Sequence, residues 1–194
     1  MNLPNKLTIV RLVIIPFFLV LMVVPLAWGT VKFLGATVPV AQLIATVLFI
    51  AATITDNLDG RIARRDHLVT NFGKFTDPLA DKLLVMTAFI VLTASHAVPA
   101  WVTCIIIWRE LSVTGLRLLI VEQNGQVLAA KMPGKIKTTT QFIAIIFLLL
   151  HNAIFAIWNI PFGEIMLYIC LFFTIYSGVD YFIQGRGVFA DGFK

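Results

Sequence analysis

The sequence predicts an all-α membrane protein with six transmembrane helices and both termini in the cytoplasm. Hydrophobic residues make up 59% of the 194 residues and charged residues only 13%, whereas soluble domains are about 45–50% apolar. Apolar runs long enough to cross a bilayer recur along the chain, and the mean hydropathy is +0.94. No polar linker interrupts them, so we expect a single domain over residues 1–194.

The helices are predicted from apolar runs and from the prolines and glycines that end them. The first follows Pro4 and the basic residues Lys6 and Arg11, which we expect at the membrane interface, and it continues to about residue 28. The third starts near Asp77, with Pro78 in its first turn, where proline is well tolerated. The third helix ends near residue 97. The other helices are predicted at about 41–65, 100–122, 135–154 and 163–183. The connections between helices are predicted at 29–40, 66–75 and 123–134.

The basic residues predict the orientation. Lys and Arg total 15, and all except Lys32 fall on the N-terminal segment, on two connections with their helix ends, or on the C-terminal tail. Cytoplasmic segments carry this excess, so both termini and the segment 56–81 are assigned to the cytoplasm. Topology and anionic lipid therefore explain the net charge of +5, and no nucleic-acid partner is expected.

The segment 56–81 concentrates carboxylates in a chain that has only 10 acidic residues. Asp56 and Asp59 are three residues apart, and Asp77 and Asp81 are four apart, so each pair lies on one face of a helix. Four converging carboxylates repel one another unless cations neutralise them. Oxygen ligands favour hard ions, so we predict two divalent cations, Mg²⁺ or Mn²⁺, of the kind that assist displacement at phosphorus.

Two other residues of the segment suit a ligand that carries phosphate. Gly60 leaves room for a molecule to lie against the helix, and Arg64, one turn later, can bind a phosphate or nucleotide oxygen. The alternative interpretation is a solvated helix end with ordinary surface ion pairs. The combination of four acids, a glycine and an arginine in a chain so poor in charge favours the metal site.

The positions of these residues resemble the signature of the CDP-alcohol phosphatidyltransferases. The matching residues are Asp56, Asp59, Gly60, Ala63, Arg64, Gly73, Asp77 and Asp81. The resemblance implies a six-helix enzyme with two metal ions, in which an acceptor hydroxyl attacks the phosphorus farther from cytidine and CMP is released. It also implies a homodimer that crosses the bacterial inner (cytoplasmic) membrane several times, with its active site facing the cytoplasm.

Residue roles follow from position in that signature. Asp56 and Asp77 would contact both metal ions. Asp59 would contact the first ion and Asp81 the second, and Asp81 would also act as the catalytic general base. Asn5 belongs to an N-terminal segment that resembles the one closing over the CDP group, although a helix cap by Asn5 is the alternative. The residues implied to bind CDP-diacylglycerol are Asn5, Thr8, Gly60, Ala63, Arg64, Thr70 and Gly73.

Basic residues in the fourth and fifth helices point to the acceptor. Arg109 lies about ten residues into its helix, roughly 15 Å from the start, and a charge at that depth usually faces a polar cavity or a partner. With Arg117, Lys135 and Lys137 it forms a candidate pocket for the phosphate of an anionic acceptor. The alternative is a structural pair, in which Glu110 bonds a neighbouring helix and the lysines anchor at the interface.

This neighbourhood resembles the bacterial family members that use CDP-diacylglycerol and sn-glycerol 3-phosphate, and we predict these two substrates. Inositol phosphate, serine and phosphatidylglycerol are alternative acceptors within the family. Outside it, a small cation transporter would carry acids near mid-membrane on broken, repeated helices. A lipid-binding scaffold would not require four carboxylates in register. The clustering of acids toward one membrane face favours the enzyme.

Overall fold

A computed structural model of the chain describes residues 3–65, 71–122 and 132–186. These residues are mostly helical, so the predicted all-α class is confirmed, apart from one short β-hairpin within the predicted connection at 29–40. The elements are α1 (Leu3–Val23), β1 (Thr30–Phe33), β2 (Ala36–Pro39), α2 (Val40–Arg65), α3 (Asn71–Ala94), α4 (Ala100–Glu122), α5 (Met132–Leu149), a 3-10 helix (Phe155–Trp158) and α6 (Phe162–Gln184).

The predicted boundaries agree with the structure for α2, α4 and α6 and differ for the other helices. α3 begins at Asn71 rather than near Asp77, so Pro78 lies inside the helix. A long helix that packs on its neighbours tolerates the loss of the one backbone hydrogen bond that proline cannot donate. α1 ends at Val23 and α5 at Leu149, and the residues directly after them form irregular backbone and turns. Residues 66–70 and 123–131 of the predicted connections lie outside the described residues.

Residues Met1–Ala97 and Ile146–Pro161 form one compact unit, called here unit 1. α1 packs against both α2 and α3. The hairpin returns the chain to its own start, where Val40 N–H donates to the carbonyl of Gly29 over 3.1 Å, so α2 runs back along α1. The fully buried rings of Phe18 and Phe49 join the two helices, with their centroids 6.1 Å apart.

The hairpin is bound to the segment that follows α5. It turns at Leu34 and Gly35, whose φ angles of 46° and 88° match the positive values that a two-residue type I′ turn requires. The Leu34 carbonyl accepts a hydrogen bond from Ile154 N–H over 2.7 Å. Val38 packs with Ala153 in a buried apolar cluster. Packing against this distant segment stabilises strands that are too short to be stable alone.

Replacement of Gly35 by alanine is expected to destabilise this contact. A Cβ at Gly35 would lie 2.5 Å from Cγ1 of Ile157, and its φ of +88° strains any L side chain. We expect a loss of about 1–3 kcal/mol, seen as a lower unfolding midpoint in detergent. Gly29→Ala is the matched control, because its φ is +75° but nothing lies within 4 Å. Equal midpoints for the two variants would contradict the packing contact.

Residues Val98–Ile145 and Phe162–Lys194 form a second compact unit, called here unit 2. In it α4 packs along α6. A Cβ at Gly178 would lie 3.1 Å from Cγ of Arg109, so this glycine gives the arginine side chain room beside α6. The buried apolar residues of this helix pair are Val113, Leu116, Ile120 and Tyr181.

The outer helix surfaces are apolar, as lipid contact requires. Phe17, Leu118 and Phe172 are 62%, 67% and 63% exposed. Within the described ranges, α6 has the length and apolar composition needed to cross a membrane, and shorter apolar runs occupy parts of α1, α2 and α3. The six-span topology, the cytoplasmic termini and the single domain over residues 1–194 stay predictions.

Candidate active site

α2 and α3 carry the four aspartates of the predicted metal site. Asp56 and Asp59 lie in the C-terminal half of α2, and Asp77 and Asp81 lie in the N-terminal half of α3. The structure describes the backbone at these positions and not the side chains. At Asn5, Gly60, Ala63, Arg64 and Gly73 the structure likewise describes only the backbone, and Thr70 lies outside the described residues.

The register of α2 relates its two aspartates to the core of unit 1. Ala45, Phe49 and Ala52 are fully buried along one line of the helix. Asp56 and Asp59 continue that line at intervals of four and three residues. α2 buries this face in its N-terminal half, and the backbone positions of Asp56 and Asp59 extend the same face toward the C-terminus.

α3 has the same arrangement in the opposite direction along the chain. Leu84 and Ala88 are 1% and 0% exposed, and Asp77 and Asp81 precede them on one line, at intervals of four and three residues. α2 and α3 contact each other, and the joined ends of the two helices carry these positions. The backbone therefore places four carboxylate-bearing positions on neighbouring helix ends, and their convergence on metal ions stays a prediction.

α1 adds a buried cation that hydropathy did not predict. Thr8 is 0% exposed and Arg11 only 1%, so the protein encloses both side chains. Arg11 precedes Phe18 by seven residues, and Asp56 follows Phe49 by seven. Since the antiparallel helices meet at the phenylalanine pair, Arg11 lies about level with Asp56, each roughly 10 Å along its helix.

Unit 2 contains a group of charged residues that is largely buried, called here the cationic cluster: Arg109, Glu110 and half-buried Arg117 of α4, and Lys137 of α5. Glu110 accepts a hydrogen bond from Lys137 and a longer one, 3.4 Å, from Nη1 of Arg109. The side chains of Arg109, Glu110 and Lys137 are 11%, 12% and 7% exposed. Lys135, by contrast, is exposed, so the structure does not bring it into the cluster.

α6 supplies two further partners that sequence reasoning missed. Nη2 of Arg109 donates to Oγ of Ser177 over 2.8 Å, and Nη2 of Arg117 donates to the hydroxyl of Tyr181. The Tyr181 ring centroid lies 4.9 Å from Cζ of Arg117 and 5.9 Å from Cζ of Arg109, within the range of cation–π attraction. Arg109 and Ser177 are 68 positions apart in the chain, and Arg117 and Tyr181 are 64 apart. No local sequence pattern links residues at such distances.

The cationic cluster has more positive charge than negative. Its three cations and one carboxylate leave a net charge of +2. In the part of the chain that the structure describes, the buried Nε atoms of Arg109 and Arg117 have no hydrogen-bond partner. Buried donors are normally satisfied and buried charges compensated. The arrangement can therefore accept an anion with several oxygens, such as a phosphate.

Both interpretations of these residues receive support from the geometry. Glu110 does bond a neighbouring helix through Lys137, as the structural-pair alternative predicts. Arg109 and Arg117 nonetheless retain buried donors beyond that pair. The assignment of a phosphate pocket to Arg109, Arg117, Lys135 and Lys137 stays a prediction.

The whole-chain comparison agrees with the resemblance of the segment 56–81. The sequence model of the CDP-alcohol phosphatidyltransferase family matches residues 1–176. The chain therefore belongs to the CDP-alcohol phosphatidyltransferase family and is a phosphatidyltransferase. This assignment argues against the cation transporter and the lipid-binding scaffold.

Its relatives include bacterial enzymes named for one acceptor. The chain is 50% identical over 181 residues, 93% of each chain, to the CDP-diacylglycerol–glycerol-3-phosphate 3-phosphatidyltransferase of Bacillus subtilis. It is 34% identical over 194 residues, 98% of each chain, to the protein of the same name from Salmonella typhimurium. A Rickettsia typhi protein of that name is 37% identical over 182 residues, covering 93% of this chain and 95% of its own.

Proposed function

We propose that the protein transfers the phosphatidyl group of CDP-diacylglycerol to sn-glycerol 3-phosphate, giving phosphatidylglycerophosphate and CMP for glycerophospholipid synthesis. Relatives similar over most of the chain are named for this reaction. The structural observation that carries the choice of acceptor is the cationic cluster, with its net charge of +2 and the buried Nε donors. A phosphomonoester supplies the matching negative charge and oxygens.

The other acceptors fit this cluster to different degrees. Serine has no phosphate, and phosphatidylglycerol carries a phosphodiester with a single negative charge. Either would leave the cationic cluster with uncompensated buried charge, which is unfavourable in a membrane protein. Inositol phosphate shares the phosphomonoester, so it is the second candidate and has to be separated by assay.

The four aspartates are proposed to hold two divalent cations, Mg²⁺ or Mn²⁺. The donor set fits such ions, because four carboxylate-bearing positions extend the buried lines of α2 and α3 and hard cations prefer oxygen ligands. We assign Asp56 and Asp77 to both ions. Asp59 is assigned to the first and Asp81 to the second. When bound, the ions would supply countercharge for the diphosphate and for the departing CMP.

The chain's own residues would bind the donor and move one proton. Gly60, Ala63, Arg64, Thr70 and Gly73, with Asn5 and Thr8 of α1, are proposed to bind CDP-diacylglycerol. Asp81 would take the proton of a glycerol hydroxyl as that oxygen bonds to the phosphorus farther from cytidine. The bond from this phosphorus to the CMP oxygen breaks, and CMP leaves.

The site is proposed to face the cytoplasm of a bacterium, in a homodimer that crosses the inner membrane with six helices per chain. The one-sided distribution of Lys and Arg supports this orientation, and the apolar helix surfaces support contact with lipid. CDP-diacylglycerol in the membrane and a soluble acceptor would meet at that surface. The homodimer rests on the family resemblance.

CMP release from purified protein tests the reaction. The protein in lipid nanodiscs would receive CDP-diacylglycerol with Mg²⁺ or Mn²⁺, and each acceptor singly. We expect CMP with glycerol 3-phosphate and none after EDTA. Absence of CMP with every acceptor would disprove the transferase activity. Release with inositol phosphate but not with glycerol 3-phosphate would assign the chain to a different branch of the family.

Arg117→Ala is expected to raise the KM for glycerol 3-phosphate with little change in kcat. The variant removes charged hydrogen bonds to the acceptor phosphate, worth about 1.5–3 kcal/mol, or roughly 10- to 100-fold in affinity. Arg186→Ala, at an exposed arginine of unit 2, is the matched control and should leave the KM unchanged. An unchanged KM for Arg117→Ala would remove this residue from the acceptor site.

A further inference from the structure

The face of α6 that packs on α4 carries two buried polar residues to which the proposed reaction assigns no role. Ser177 and Tyr181 are one turn apart and are 2% and 6% exposed. Each accepts a hydrogen bond from one arginine of the cationic cluster: Ser177 from Arg109 and Tyr181 from Arg117. Both contacts involve a terminal nitrogen, Nη2, of the guanidinium.

Tyr181 is held in place by contacts other than those with the arginines. Its ring packs in the buried cluster with Val113, Leu116 and Ile120, and buried side chains in such clusters occupy single rotamers. The hydroxyl and the ring face therefore have stable positions. Guanidinium groups that hydrogen-bond to this hydroxyl, or lie against this ring, lose much of their own rotational freedom.

These contacts leave donors of both arginines available. The hydrogen bonds to α6 come from Nη2, whereas the buried Nε atoms of Arg109 and Arg117 have no partner among the described residues. A guanidinium has five N–H donors in a planar fork. An anion can therefore bind to the remaining donors while α6 holds the group in its orientation.

We propose that Tyr181 and Ser177 are positioning residues, which hold Arg117 and Arg109 in the orientation that receives the phosphate of a phosphomonoester acceptor. This inference rests on the acceptor site of the proposed function. A flexible arginine must be ordered when its ligand binds, and that ordering weakens binding. Arginines ordered in advance by α6 avoid most of this cost, so α6 determines acceptor affinity without contacting the acceptor.

The test is Tyr181→Phe, which keeps the ring and its packing and removes only the hydroxyl. We expect about tenfold weaker binding of glycerol 3-phosphate, measured both as KM and by calorimetry on the nanodisc protein without donor. The kcat and the KM for CDP-diacylglycerol should not change. Tyr176→Phe is the matched control on the same helix, because Tyr176 is exposed and stacks on Phe172.

Two further variants complete the series. Tyr181→Leu removes the ring as well and should weaken acceptor binding more than Tyr181→Phe does. If the leucine variant does not fold, Tyr181→Phe decides the question alone. Ser177→Ala should weaken binding through Arg109. Normal acceptor affinity in Tyr181→Phe would overturn the proposal, and normal affinity in Ser177→Ala would remove Ser177 from it.

A double variant separates this inference from the proposed function. In an Arg117→Ala background, Tyr181→Phe should cause no further loss of affinity, because its hydroxyl acts through Arg117. An additional tenfold loss would overturn the positioning role. If Arg117→Ala alone leaves acceptor binding unchanged, the acceptor site itself is wrong. If Arg117→Ala weakens binding and Tyr181→Phe does not, only the inference fails.

Discussion

Asp81→Asn is expected to abolish turnover while binding of CDP-diacylglycerol survives. Loss of a general base alone lowers rates by about 10²–10⁴-fold. The amide keeps the size of the carboxylate and one oxygen, and Asp56, Asp59 and Asp77 remain to bind metal ions. The expected result is therefore a fall in kcat of about 10²- to 10⁴-fold, with donor binding, measured by calorimetry, close to that of the unaltered protein.

Asp180→Asn is the matched control for this experiment. It makes the same chemical change on α6, in unit 2 and outside the segment 56–81, and should keep normal turnover. A near-normal rate for Asp81→Asn would show that another group takes the proton. Loss of donor binding together with turnover would show that Asp81 contributes mainly to metal binding.

Glu110→Gln is expected to cause a large loss of stability in unit 2. Glu110 is the carboxylate that pairs with Lys137 and Arg109 in the cationic cluster. Its replacement leaves buried cations uncompensated, which typically costs about 3–5 kcal/mol. For a protein of this size the unfolding midpoint should fall by about 10 °C, which heating in detergent with a fluorescence readout would measure.

A second substitution tests the cause of that loss. Glu110→Gln combined with Lys137→Met removes both members of the buried pair and should recover part of the lost stability, because the cluster returns to a net charge of +2. Glu164→Gln, in the first turn of α6, is the control and should shift the midpoint only slightly. An unchanged midpoint for Glu110→Gln would show that the buried pair does not contribute to stability.

The helices were predicted well where the information is local. α4 has the predicted boundaries, and α2 starts at Val40, one residue before the predicted start. Apolar runs ending at Gly, Pro or charged residues define such helices, because helix formation depends on neighbours three or four positions away. The start of α3 was predicted near Asp77 because proline favours the first turn of a helix. The helix instead begins at Asn71.

The β-hairpin and Arg11 could not be predicted in this way. β1 and β2 have four residues each and depend on the segment after α5, whose His151 Nδ1 lies 2.9 Å from the carbonyl oxygen of Thr37. The burial of Arg11 was not predicted because hydropathy treats a charge as exposed to solvent. One signal was available: Thr8 and Arg11, three residues apart, fall on one helix face with Phe18.

The helical class, the resemblance to the family, and the spacing of Asp56, Asp59, Asp77 and Asp81 could be read from the residues alone. Each of these properties follows from residue types at short intervals. The partners of the cations became known from the folded protein: Lys137 pairs with Glu110, and Arg117 with Tyr181. The physical reason is that these partners lie on different helices, 27 and 64 residues apart, and only the packing of α4, α5 and α6 brings them together.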